Sequence, residues 1–252
     1  MAVPVNPFIC WDNRFADAVP VASSTYAGAA ANIANFRPYT NWMPLTLPAT
    51  ITVDCGAPKY ADCLGLFNHT LASSGSTIQV RGSTDNFVAS DVLVATLVPD
   101  NNTASIVNFT SVAYRYWRIT ITGTVVPTLS IVALGVGLEF PTGLPYGFDP
   151  LARQVFGQTN ISEQGLPLGK VVLFEQWKQN VSFNFIPSSW LRTVFLPTWK
   201  LHLRGKPFLF AWDLTRYPTE IYLVEAGDSI KSPQNLPAYS TLSFDIKGVA
   251  LP

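Results

Sequence analysis

The sequence of 252 residues predicts an all-β protein: an N-terminal jelly-roll β-sandwich followed by a smaller β domain carrying one helix. Three observations predict it. Apolar and polar residues alternate with period two through most of the chain, the pattern of half-buried strands. The alternating runs are short, and clusters of Gly, Pro, Asn, Asp and Ser separate them. Sixteen Phe, nine Tyr, seven Trp and twenty Pro accompany only 13% charged residues, a composition that packs aromatic rings into sheets and breaks often into turns.

Taken in order, the Ala-rich stretch Ala22–Phe36 predicts a turn or two of helix that ends before Pro38, because proline drives the residue before it out of the helical region. Strands are predicted at Ala49–Cys55, Ala61–His69, Ser76–Gly82, Val92–Val98, Ala104–Thr110, Tyr114–Thr122 and Leu129–Phe140. Seven or eight short strands at this spacing make a sandwich or jelly roll. The uncharged run Ile119–Leu138 is long enough to cross a bilayer as a helix. Gly123, Pro127 and Gly135 interrupt it and Ile119-Thr120-Ile121-Thr122 alternates, so two strands and a turn are expected, with no membrane insertion.

Periodicity stops between Pro141 and Pro150, which places a domain boundary there and gives domains 1–145 and 146–252. The aromatic content of this stretch predicts a packed crossover. An irregular arm is expected over Leu151–Pro167, then strands at Lys170–Trp177, Asn180–Ile186, Pro207–Trp212, Glu220–Val224 and Thr241–Lys247. Ser188–Leu203 is the helix: Ser188 or Ser189 caps it, Trp190/Val194 and Leu191/Phe195 share a face, and Pro197 kinks or divides it.

Acidic and basic residues number 16 each, and residues 1–145 hold six basic and eight acidic groups against ten and eight in 146–252. No basic patch marks a nucleic-acid partner. A mean hydropathy of +0.23 with so few charges predicts surface that is covered by other subunits, hence a homo-oligomer. The N-terminus has neither a basic nor an apolar leader pattern, so synthesis and assembly in a cytoplasm are expected. Cys10, Cys55 and Cys63 cannot all pair within one chain and lack metal-ligand spacing, which favours buried thiols.

The chemistry-bearing residues are sparse. His69 and His202 are the only imidazoles, and neither accompanies a nucleophile motif. Asp12, Asp17 and Asp54 read as turn or capping groups rather than as a glycosidase pair. Zinc lacks a ligand set, Gly135-x-Gly137 has no following helix to cradle phosphate, and no cofactor is called for. Loop-bound calcium would leave little trace in a sequence. Trp42, in Tyr39-Thr40-Asn41-Trp42-Met43-Pro44, is the candidate exposed platform for a sugar.

Several pieces resemble the discoidin, or coagulation-factor C-type, domain with its galactose-binding-like jelly roll. They are Ala22-Ser23-Ser24, Asn41-Trp42, Thr52-Val53-Asp54-Cys55-Gly56, the strand and turn Val80-Arg81-Gly82-Ser83-Thr84-Asp85-Asn86-Phe87, and Tyr114-Arg115-Tyr116-Trp117-Arg118-Ile119. Members bind through variable loops at one end of the sandwich, so the resemblance transfers no residue as a ligand contact.

The second half is similar to small β domains of phage distal-tail and tail-tip proteins. The similarity lies in Asn160-Ile161-Ser162-Glu163-Gln164-Gly165, in Gly205-Lys206-Pro207-Phe208-Leu209-Phe210-Ala211-Trp212-Asp213 and in Pro218-Thr219-Glu220-Ile221-Tyr222-Leu223-Val224. Together the two resemblances imply a non-enzymatic virion protein, a homo-oligomeric ring at the end of the tail tube. Its partners would be itself, the tube, other tail-tip or baseplate proteins and a host surface glycan. The alternative they imply is a carbohydrate-binding host-recognition module acting through the jelly-roll loops.

Overall fold

In the computed structural model, which describes residues 3–249, the short alternating runs fuse into strands longer than their breaks predict. The chain is mostly β and forms two units: Met1–Phe140 with Phe208–Ile221, and Pro141–Pro207 with Tyr222–Pro252.

Unit 1 begins with β1 (Phe8–Cys10) and the two-residue β2 (Val21–Ala22). The Ala-rich stretch yields only a single 3-10 turn, Ala30–Ala34. The two strands expected next are one, β3 (Ala49–His69). The turn-forming interruption Gly56-Ala57-Pro58-Lys59-Tyr60 does not end it: Gly56 takes a positive φ of 73°, its N–H donates to Asp54 Oδ1 at 2.8 Å, and the ladder resumes after a register shift. β4 (Thr77–Ser83) and β5 (Val92–Leu97) follow, then β6 (Ala104–Thr122), which again merges two expected strands. β7 (Leu129–Gly135) and β8 (Gly137–Glu139) close this stretch. The run Ile119–Leu138 is thus strand, turn, strand, and among the described residues no helix is long and apolar enough to cross a membrane.

The main sheet has the order β2-β3-β6-β4-β5, with β7 on the far half of β3. Its alternation is strict: Ile51, Val53, Ile78, Val80, Trp117, Ile119 and Ile121 point inward and are buried. The intervening Thr50, Thr52, Gln79, Arg81, Tyr116, Arg118 and Thr120 are only half-buried, on the opposite face.

Unit 2 opens with a hairpin where an irregular arm was expected. β9 (Gln154–Ile161) pairs antiparallel with β10 (Pro167–Pro187), because the tight turn Ser162–Leu166 returns the chain and Gly169, at a φ of 128°, absorbs a register shift. Helical turns then fill residues 188–203, with widened π turns at Leu191–Phe195 and Trp199–Leu203. They flank Pro197, which has no N–H for a regular helical bond. β11 (Pro207–Ala211) runs into unit 1, where it and β8 pair on either side of β1. Cutting the chain once at 145/146 does not reproduce this division, since β11 supplies β1 with a ladder from a distant stretch of sequence.

β12 (Ile221–Lys231), β13 (Gln234–Leu236) and β14 (Tyr239–Val249) complete unit 2, in the order β12-β14-β10-β9 with β13 on β14. Phe183, Phe195, Trp199 and Phe244 pack as an aromatic cluster beneath the helical turns. The Pro141–Pro150 stretch is pinned, since the Pro150 carbonyl accepts from Trp177 Nε1 at 3.0 Å and from the Tyr222 hydroxyl at 2.9 Å.

Candidate functional site

The outward face of the main sheet in unit 1 carries a cleft of about 460 Å³, within the range of small-molecule sites. The segment Ala18–Ser23 walls one side, β3 and β6 form the floor, and Asn86 closes the other side. Register aligns the floor in rows: Asp54, Tyr116 and Ser83 in one, Thr52, Arg118 and Arg81 in the next, Thr50, Thr120 and Gln79 in the third.

The turn after β4 is built around Asp85. Its carboxylate accepts the backbone N–H groups of Val88 (3.2 Å), Ala89 (2.9 Å) and Ser90 (3.1 Å), and the Ser83 hydroxyl accepts those of Asp85 and Phe87. These bonds hold Asn86 and Phe87 at φ of 59° and 64°, a region costly for a residue as bulky as Phe. The constrained turn lays the Phe87 ring against the Arg118 guanidinium, 3.7 Å from the ring centroid. Gly82 is required here, because a Cβ would meet the Tyr114 ring at 2.1 Å.

Asp54 is committed to Arg115: Nε and Nη2 each donate to a separate carboxylate oxygen at 2.8 Å. That pair and the Gly56 N–H hold the Asp54 pKa down at about 2. Arg81 is matched by Asp91, with Nε donating at 2.6 Å. Burial lowers the Arg118 pKa, Asp91 opposes this, and the like charge of Arg81 adds to it.

The structure separates the residues that the sequence singled out. Trp42 is not a platform: it is fully buried in the unit 1 core, its Nε1 donates to the Thr25 hydroxyl at 3.1 Å, and its backbone bridges to Leu129. The loop-like neighbourhood misled, because a bridge to β7 draws this segment inward. His69 is also buried, with Nδ1 accepting from the Leu71 N–H, and burial pushes its pKa down to about 4. His202 lies in the helical turns of unit 2. Asp12 and Asp17 both pair with Arg14, which explains them without a ligand.

Cys10 and Cys63 are buried free thiols with their sulfurs 3.2 Å apart, whereas Cys55 is half-buried and pushed up to about 11 by burial and by Asp17. Among the described residues no three His, Cys, Asp or Glu side chains converge as a metal site. A second cleft, of about 390 Å³, has Phe8, Phe109 and Asp62 in its lining. It has fewer hydroxyl and amide groups, and backbone N–H groups already occupy its carboxylates Asp62 and Glu139. Tyr116, Arg118 and Asn86 escaped sequence reasoning as site residues, although the quoted motifs contain all three.

The chain matches no protein-family model and no curated protein. Solved structures similar to part of it include a family 32 CBM of Clostridium perfringens NanJ in complex with galactose. It is 14% identical, with 51% of this chain and 98% of that one covered and a TM-score of 0.41. Another C. perfringens module, CpGH89CBM32-5 in complex with GalNAc-β-1,3-galactose, is 14% identical over 48% of this chain and 97% of that one, with a TM-score of 0.42. A chitosan-binding module from a Paenibacillus chitosanase/glucanase is 22% identical over 47% and 94%, with a TM-score of 0.39. None of these three is a tail protein, and they lend no support to the tail-tip expectation.

Proposed function

We propose that unit 1 is a saccharide-binding module and that the chain acts by binding rather than by catalysis. The observation that carries this is the cleft on the main sheet. It surrounds a ligand-sized space with hydroxyls (Ser23, Thr50, Thr52), an amide (Asn86), a guanidinium (Arg118) and an aromatic ring (Tyr116). A sugar presents a ring of hydroxyls and an apolar C–H face, and planar polar groups beside an aromatic ring complement both. The place of binding is therefore the exposed sheet face, and Trp42 has no part in it. Glycan-array binding by the whole chain, lost in Asn86→Ala and Tyr116→Ala variants that keep the β circular-dichroism spectrum, is the expected result. Binding that survives both substitutions refutes the assignment.

A second reading, self-assembly, has its own observation. The β9–β10 hairpin exposes Ile161, Leu166, Leu168, Val172, Leu173 and Phe174 by half or more. A monomer rarely leaves so many large apolar side chains of one hairpin in water, and an edge strand such as β9 is a template for pairing. On this reading a second copy covers the hairpin, and the chain is a virion component of a phage tail tip or baseplate, assembled with the tube in the host cytoplasm. Light scattering across a concentration series should give a discrete oligomer that Leu173→Lys dissociates. A monomer at every concentration removes this reading.

A further inference from the structure

Arg118 brings more positive charge to the unit 1 cleft than its neighbours neutralise. The register of β4 and β6 sets it beside Arg81 on the same exposed face, and like charges directly opposite on adjacent strands destabilise a sheet. Arg81 is compensated, by Asp91 at 2.6 Å and by Gln79 at 3.1 Å. Arg118 is not. Its Nε donates to the Thr52 hydroxyl at 2.8 Å and Phe87 covers its plane, but among the described residues no carboxylate pairs with it and its two terminal nitrogens donate to nothing. Asp54, the carboxylate in the lining, is occupied on both oxygens by Arg115.

What remains is a planar fork of donors, its orientation set by a ring and a threonine, with one positive charge to spare. A guanidinium so held is matched by a planar carboxylate through two parallel N–H···O bonds, and poorly by a neutral hydroxyl. Resting on the saccharide reading, the geometry points to an acidic sugar, one carrying a carboxylate, as the ligand of this cleft, with Arg118 as the residue that selects the charge. The remaining hydroxyl and amide groups of the lining then meet the sugar hydroxyls.

The test is calorimetric titration of the full chain with an oligogalacturonate, with a neutral galacto-oligosaccharide of equal length and with sodium sulfate, each at low and high salt. We expect the acidic sugar to bind about tenfold or more tightly than the neutral one, the scale of a charge-assisted bidentate contact. Arg118→Gln should erase that preference and Arg118→Lys should retain part of it. Arg216→Gln, on an arginine 79% exposed outside the cleft, should leave it intact. Equal or tighter binding of the neutral sugar, or acid binding unchanged in folded Arg118→Gln, overturns the acidic-sugar inference while the saccharide reading stands. Sulfate binding as tight as the uronate reduces the site to a general anion site and overturns the inference too. No binding of either sugar, at any salt, sinks both.

Discussion

His69 shows how one buried polar residue sets a pH dependence. In the folded chain burial lowers its pKa from 6.5 to about 4. Above pH 6.5 the imidazole is neutral in folded and unfolded chains and contributes no slope. Between 6.5 and 4 the unfolded chain binds a proton that the folded chain refuses, so stability falls as pH falls. The shift corresponds to a loss of about 3 kcal/mol across that window. Urea denaturation at neutral pH and near pH 4.5 should reveal it, and a His69→Gln variant should have a flatter acid limb; an unchanged limb would assign the acid sensitivity elsewhere. Trp42 teaches the complementary lesson. Because it is core, Trp42→Ala should lower stability by about 3–5 kcal/mol, and any lost binding would report unfolding rather than contact.

The turn between β4 and β5 is the element on which the cleft depends. Three backbone N–H groups converge on the Asp85 carboxylate, and two adjacent residues stay at positive φ only because these bonds hold them there. Asp85→Ala should therefore cost about 1–3 kcal/mol, release Phe87 from Arg118 and weaken saccharide binding more than stability. Thermal melts beside titration of the same variant separate the two effects. If binding is untouched, the turn does not build the site. The hairpin β9–β10 is a different kind of element. Its turn chemistry lies in Ser162-Glu163-Gln164-Gly165; Val172, Leu173 and Phe174 fall in the strand expected over Lys170–Trp177, whereas their partner strand β9 lies in the stretch expected to be irregular.

On the scale of the whole molecule, strand pairing crosses the sequence boundary. β11 carries Phe208, Leu209 and Phe210, all fully buried, into the ladder of β1. Leu209 also occupies the space above Gly65, where a Cβ would meet it at 2.6 Å. A fragment of residues 1–145 lacks this strand and leaves β1 as an open edge. It should aggregate or melt well below the full chain, as size exclusion and circular dichroism would record; a fragment as stable as the full chain would mean that β11 is dispensable to unit 1.

Much of the fold was legible, because period-two alternation and turn clusters are local properties. The β class, the strands on either side of Gly123 and the helical turns around Pro197 follow from neighbours along the chain. The motifs Arg81-Gly82-Ser83-Thr84-Asp85-Asn86-Phe87 and Tyr114-Arg115-Tyr116-Trp117-Arg118 were visible as well, yet not their roles. Arg81, Arg115 and Arg118 are alike in sequence. Only the pairing of β3, β4 and β6 decides that Asp91 neutralises the first, that Asp54 neutralises the second, and that the third is left facing an open cleft. Likewise only the bridge to Leu129 decides that Trp42 is buried. Sequence alone settles what a residue does with its neighbours in the chain; charge balance and burial depend on which distant strands become adjacent, and that was the contribution of the tertiary structure.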